Sequence, residues 1–377
     1  MCTMSNSVFN PKLVDTYNQP MFFGESVNLS RNDIQKHKVF ETLTKNQIAS
    51  YWSPEEIKLT EDKKQFRELS THEQHIFISN LKYQVLLDSI QGRAPCQTFL
   101  EVCSLPELEN WIITWSFFET IHSRSYTHIM QNVFPDPSII FDDIPTNPEI
   151  IARANQISNY YDNFKRLLID YKSDESKQSM TSLQKASRLR ELKKAFYLNL
   201  VAVNVLEGIR FYVSFACSFA FMEGKKVMEG NSKIIQLIAF DEAFHLASTQ
   251  HIINLIQKNK DDPELFEISL EVKDEVYSIF KEAVEQEKAW ASYLFKDGSI
   301  LGLNEAILVQ YLEHICDQRL SAIGYNPLFG KKSNPIPWMS SWLSKNKKTP
   351  FPQESELISY QIGQVNNDDG DLSDISL

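Results

Sequence analysis

The chain has 377 residues, 42% of them hydrophobic, and a formal charge of -11, so it carries enough apolar material for a substantial core and is long for one domain. With no long Lys/Arg block, the acidic balance argues against a nucleic-acid surface. The most apolar run, Phe211 to Met222, is too short to span a membrane, and extending it backwards draws in Arg210 and Glu207, so it reads as a buried helix.

Met1 to Asp33 reads as irregular, and Met1 to Tyr17 lacks the basic region and apolar core of a secretory signal. Within it, Pro20-Met21-Phe22-Phe23-Gly24 is an apolar piece expected to lie on the domain surface. Ile34 to Tyr51 reads as a helix, and Pro54 fits the first turn of a short one capped by Ser53. Ser70 and Glu73 form a capping box that opens a long helix through Asp88. Gly92 and Pro95 interrupt the pattern before Leu105-Pro106-Glu107 restarts a helix leading to Glu119. Four prolines between Pro135 and Pro148 punctuate a connection, and Glu149 to Tyr171 is helical with mixed polarity. Lys172 to Ser187, polar and rich in Ser and Lys, reads as a loop or small hairpin excursion. Leu189 to Met222 reads as one long helix or two consecutive ones, with a local distortion expected around Glu207. Ile234 to Ile253 is another apolar helix. Trp338 and Trp342 look anchored, and the acidic end, with Tyr360 in Leu357 to Ile362, reads as a flexible docking tail with Ile375 and Leu377 as apolar anchors.

The chemistry lies in four of these apolar helices. Asp88 and Glu207 each stand in one, and Glu119-x-x-His122 and Glu242-x-x-His245 stand in two others. Four carboxylates and two imidazoles are the ligand inventory of a carboxylate-bridged dinuclear metal site inside a four-helix bundle. A bare carboxylate buried on such a helix would carry a desolvation penalty or be forced to protonate; two divalent cations match the four acids and remove that conflict. Oxidation to two trivalent ions with a bridging oxide keeps the balance. Oxygen-rich ligation with two imidazoles suits iron or manganese better than zinc. Tyr126 lies one helical turn beyond His122, about 6 Å along the axis, where a redox-active metal pair could oxidise its phenol.

Each ligand has an ordinary alternative. Asp88 or Glu207 alone could be half of a buried ion pair, with Arg210 three residues from Glu207, and either histidine could be a satisfied core residue. The chain order of acid, Glu-x-x-His, acid, Glu-x-x-His weighs against that account. Five cysteines, Cys2, Cys96, Cys103, Cys217 and Cys316, are scattered without paired spacing, which fits a reducing cytoplasm and gives no cysteine metal site.

Five stretches, His75 to Gln84, Leu87 to Arg93, Glu119 to His128, Leu206 to Tyr212 and Asp241 to His245, carry a resemblance to a known family. The chain resembles the small, radical-generating subunit of aerobic class I ribonucleotide reductases, most closely the class Ia proteins of enteric bacteria and their phages. The resemblance runs from about Gln19 through the tail. It implies an all-α, ferritin-like four-helix bundle with additional helices over residues 1–343 and a flexible tail over 344–377. It implies two iron ions per chain, oxo-bridged and diferric when active, with manganese ranked second, held by Asp88, Glu119, His122, Glu207, Glu242 and His245. Tyr126 would hold a stable tyrosyl radical. Trp52 would relay an electron with the help of Asp241 bonded to His122, and Tyr360 would hand the oxidising equivalent to the large subunit. A cytoplasmic homodimer bound to that large subunit through its tail is expected, with no nucleic acid or membrane partner.

No Gly-rich phosphate loop or Cys pair is visible, so substrate binding and dithiol chemistry are assigned to the other subunit. Phe211 and Phe215, one turn apart, would wall off the phenoxyl. The sequence departs from its relatives at Phe240, where some have Arg, and in the Lys172 to Ser187 excursion. Two other functions share the ligand set: a di-metal oxygenase acting directly on a small substrate, and a ferritin-like iron-storage protein.

Overall fold

The computed structural model describes residues 10–176 and 181–343. Their helices are α1 (Lys38–Ala49), α2 (Thr60–Glu68), α3 (Thr71–Gln91), α4 (Ala94–Thr98), α5 (Pro106–Val133), α6 (Pro137–Asp143), α7 (Pro148–Ser176), α8 (Ser182–Val205), α9 (Phe211–Lys225), α10 (Glu229–Gln257), α11 (Pro263–Glu271), α12 (Lys273–Leu294), α13 (Glu305–Ala322) and α14 (Trp338–Leu343). The described residues contain no β-strand beyond isolated bridges such as Phe22 with Cys103. The all-α expectation is met.

Helices α3, α5, the α8–α9 run and α10 form the central bundle, with α1 laid on α5, α7 along α8 and α12 between α8 and α13. From Ala195 to Phe221 the α8–α9 run is apolar on nearly every face, and its most apolar window is entirely buried, as expected of a helix at the centre of a core. Between α8 and α9, Leu206–Arg210 forms a wide π turn, which is the distortion expected at Glu207. Ser70 N–H donates to Glu73 Oε2 (2.9 Å) at the start of α3, and Ser53 N–H donates to Glu56 Oε1 (3.1 Å) at the short 3-10 turn Pro54–Glu56. At the far end Trp342 stacks on Phe219 with ring centroids 4.6 Å apart and donates from Nε1 to Glu223 (2.8 Å), so α14 is anchored.

Three expectations are corrected. Met21, Phe22 and Phe23 are core residues: the Phe22 ring lies 4.5 Å from that of Phe196, and the Met21 carbonyl accepts from Ser104 N–H (2.9 Å). Three consecutive large apolar side chains gain more from burial than an extended surface segment could offer. The first helix begins at Lys38, not Ile34; just ahead of it the backbone N–H groups of Lys36 and His37 donate to Glu107 Oε1 at 2.9 and 3.0 Å, satisfying donors at the helix start. The Lys172 to Ser187 segment is largely helical, since α7 continues to Ser176 and α8 starts at Ser182. There Gln184 N–H donates to Thr181 Oγ1 (3.3 Å) and Thr181 N–H to Gln184 Oε1 (2.9 Å), a capping box hidden in a polar stretch. The tail from 344 onward, including Tyr360, lies outside the described residues.

Candidate metal centre

The bundle brings all six sequence-predicted ligands together. Asp88 comes from α3, Glu119 and His122 from α5, Glu207 from the π turn, and Glu242 and His245 from α10, and none is more than 1% exposed. The i, i+3 spacing puts each Glu and His on one helical face. Two overlapping groups form: Asp88, Glu119 and His122 in one, and Glu119, Glu207, Glu242 and His245 in the other, with one donor atom from each residue within 4.8 Å of the rest of its group. Glu119 belongs to both.

Both imidazoles turn Nδ1 inward. His122 Nδ1 lies 3.4 Å from Glu119 Oε2 and 3.1 Å from Glu242 Oε1; His245 Nδ1 lies 3.2 Å from Glu119 Oε1 and 3.4 Å from Glu242 Oε2. Glu119 and Glu242 therefore each face both histidines, so either carboxylate would lie within reach of both ions. Both oxygens of Asp88 and of Glu242, one each of Glu119 and Glu207, and both Nδ1 atoms are buried without a hydrogen-bond partner. Buried lone pairs left unsatisfied in such number are costly unless something cationic satisfies them, so the donor set fits a pair of metal ions.

The outward atoms are held by neighbours. His122 Nε2 lies 3.2 Å from Asp241 Oδ2, which also accepts from Trp52 Nε1 (2.8 Å). His245 Nε2 lies 2.9 Å from the Gln47 amide nitrogen. With Nδ1 facing the cluster, Nε2 carries the proton and two donors cannot face each other, so the Gln47 amide presents its oxygen, an atom otherwise without a partner. Trp115 Nε1 donates to Glu119 Oε1 (3.0 Å). Gln91 Nε2 donates to Glu207 Oε1 (2.6 Å), while its own Oε1 accepts from Tyr161 (2.5 Å). Gln91 and Trp115 stand one helical turn from a ligand, a spacing that could have revealed them. Gln47 and Tyr161 come from other helices and leave no local signal.

Electrostatics match the geometry. Burial, then the charges of Glu119 and Glu242, push Asp88 well above the usual carboxylate range. Burial, then Glu242 and Glu119, do the same to Glu207. For Glu119, burial is outweighed by the imidazoles of His122 and His245, which hold it down at about 2. Burial alone would lower both imidazoles, yet Asp241 and the glutamates raise His122, and Glu242 and Glu119 raise His245 to about 9. The cluster thus holds protons that divalent cations would displace. Arg210 is not the partner of Glu207; it donates to Glu287 Oε1 at 2.8 Å, so the ion-pair alternative fails.

Tyr126 is 1% exposed, and its hydroxyl makes no hydrogen bond of full geometry. Burial first, and then the charge of Asp88, raise its pKa well above the ordinary phenol value, so it is a neutral phenol. Phe211 and Phe215 are both buried with ring centroids 6.1 Å apart, and Phe240 packs edge-on against Phe244 at 5.1 Å.

Residues 29–335 match the family model for the ribonucleotide reductase small chain. The beta subunit of ribonucleoside-diphosphate reductase from Haemophilus influenzae is 52% identical, over 99% of this chain and all of its own length. That of Escherichia coli O157:H7 (reductase 1) is 50% identical over the same shares, and that of Enterobacteria phage T4 is 43% identical over 96% of each chain. Among solved structures, the ribonucleotide reductase R2 subunit from Clostridium botulinum superposes with a TM-score of 0.74 at 24% identity, covering 91% of this chain and all of its own. The dimanganese(II)-NrdF of Streptococcus sanguinis gives a TM-score of 0.66 at 18% identity over 85% of this chain and 99% of its own, so these two likenesses bear on the fold. On the match across its length, the chain belongs to the ribonucleotide reductase small-chain family.

Proposed function

We propose that this subunit uses a dinuclear iron centre and oxygen to make a stable radical on Tyr126 and exports the oxidising equivalent to a large subunit that reduces ribonucleoside diphosphates. The observation that carries the reading is the convergence of four buried carboxylates and two imidazoles, with most of their inward atoms lacking a hydrogen-bond partner, in the same bundle as the buried phenol of Tyr126 beside Asp88. Asp88, Glu119, His122, Glu207, Glu242 and His245 would hold the ions. When bound, an iron pair with oxygen supplies the one-electron oxidant for the phenol. Manganese ranks second, because the same donor set suits it.

The chain's own groups do the rest. Tyr126 gives up an electron and a proton, and burial keeps water and reductants from the phenoxyl. Trp52, Asp241 and His122 form a hydrogen-bonded line to the cluster along which an electron can move, with Asp241 fixing the ring of His122. Tyr360 would take the oxidising equivalent onward from the tail that would dock on the large subunit, the acids of the tail steering it toward a basic groove. Ile48, Tyr51, Ile113 and Phe117, between 42% and 58% exposed on and beside α1 and α5, offer an apolar face for a second copy in a cytoplasmic homodimer. The near-zero exposure of the six donors counts against a direct oxygenase, which needs a substrate entrance.

The test is coupled turnover. With the large subunit, the unaltered chain should support ribonucleoside diphosphate reduction, and Tyr360→Phe should bind that subunit normally while abolishing turnover. Full turnover by Tyr360→Phe would refute the export route, and loss of binding would make Tyr360 an anchor instead of a relay.

A further inference from the structure

The turn that carries Glu207 is held from outside by two buried arginines that the chemistry above does not use. A π turn is a rare, wide loop of helix that leaves the ladder of backbone hydrogen bonds out of step. Here Arg319, reaching in from α13, donates from Nε to the Gly208 carbonyl (3.1 Å), and its guanidinium sits over the Tyr212 ring at 4.6 Å. Gly208 leaves it room: a Cβ there would stand 2.9 Å from Leu246 Cδ1 and 3.2 Å from Arg319 Cδ. On the other side, Arg210, the last residue of the turn, donates to Glu287 Oε1 (2.8 Å) and Gln286 Oε1 (2.7 Å) on α12 and to Gln156 on α7. Tyr83 from α3 donates to the same Glu287 oxygen. Arg210, Glu287 and Tyr83 are all buried, so this knot cannot exchange its partners for water.

We propose that Arg319 and the Arg210–Glu287 pair are positioning residues for the dinuclear centre, clamping the π turn from both sides so that the Glu207 carboxylate points into the Glu119, Glu242 and His245 group. The inference rests on the dinuclear reading above. Relaxation of the turn to an ordinary α-helix would shift Glu207 by about one residue, roughly 100° around the axis and 1.5 Å along it, which takes the carboxylate out of the site. The group of Asp88, Glu119 and His122 contains no residue of the turn and would keep its geometry. The clamp therefore governs one metal position more than the other.

The experiment is an anaerobic chelator-competition titration with Fe(II), repeated with Mn(II), on the full chain and on Arg319→Lys and Glu287→Gln, with helicity followed by circular dichroism. Lys193→Met, which breaks the buried ion pair to Asp262 (2.6 Å) away from the turn, is the control for a purely structural loss. Two equivalents bound by the unaltered chain test the dinuclear reading itself. The expected result in Arg319→Lys and Glu287→Gln is one equivalent bound as before and the other weakened by about tenfold or more, the usual effect of removing a supporting partner around a metal site. Lys193→Met should bind both normally. Arg319→Lys keeps a cation beside Tyr212 and carries the test should Glu287→Gln not fold. Unchanged binding of both ions in folded Arg319→Lys, or equal weakening of both, would overturn the clamp.

Discussion

Replacing Asp241 by Asn separates the two tasks assigned to this residue. Its Oδ2 accepts from Trp52 Nε1 at 2.8 Å and lies 3.2 Å from His122 Nε2. Asn keeps the shape and one acceptor oxygen but removes the charge, and charge-assisted hydrogen bonds are roughly twice as strong as neutral ones. His122 becomes a poorer donor to metal and its ring is less firmly oriented. Loss of such a partner typically lowers metal affinity 10- to 100-fold, about 1.4 to 2.8 kcal/mol. Trp52→Phe leaves the Asp241–His122 contact in place and should hold affinity within about threefold while slowing electron transfer along the line. Anaerobic metal titration with a competing chelator measures the first effect, and stopped-flow observation of radical formation and loss measures the second. Affinity unchanged in a folded Asp241→Asn, or lowered equally in Trp52→Phe, would refute the division of roles.

Because Asp88, Glu207 and His245 hold protons that cations displace, metal affinity should rise with pH up to about 9, and calorimetry in two buffers of different ionisation enthalpy should detect proton release; none released would contradict the assignment. His245 is raised from 6.5 to about 9 on folding, so its contribution to the metal-free fold is present below about 6.5 and lost as pH climbs toward 9. The Tm of chelator-treated protein should fall through that window more than that of the loaded form. Gly208→Ala should lower stability by about 1–3 kcal/mol by pressing on Leu246 and Arg319, measured by denaturant unfolding; no loss would mean that the turn yields freely. Phe117→Glu, at a residue 52% exposed, should convert a dimer to a monomer in sedimentation without changing helicity, and an unaltered dimer would place the interface elsewhere.

The six clustered acids and imidazoles are legible in the sequence because each obeys a local rule. A carboxylate in an apolar helix is anomalous by itself, the i, i+3 pairs share a helical face, and the length of the Leu189 to Met222 run called for a break where the π turn of Leu206–Arg210 lies. What was not legible depends on contacts between distant segments. Gln47 meets His245 from α1, Tyr161 reaches Gln91 from α7, and Arg319 reaches Gly208 from α13, and no spacing announces any of them. The burial of Met21 to Phe23 is hidden from the sequence for the same reason: it is decided by Phe196 and Ser104, far along the chain. Polarity misled at Lys172 to Ser187, where solvated helix faces look like loop.

Coupled turnover depends on a radical on Tyr126 generated at a two-ion centre. Low-temperature electron paramagnetic resonance on the metal-free protein, before and after addition of Fe(II) and oxygen, with iron counted on the same sample, tests it directly. About two irons per chain are expected, with a tyrosyl signal that disappears in Tyr126→Phe while the iron content stays. Two bound irons without an organic radical, or a signal that survives Tyr126→Phe, would contradict it.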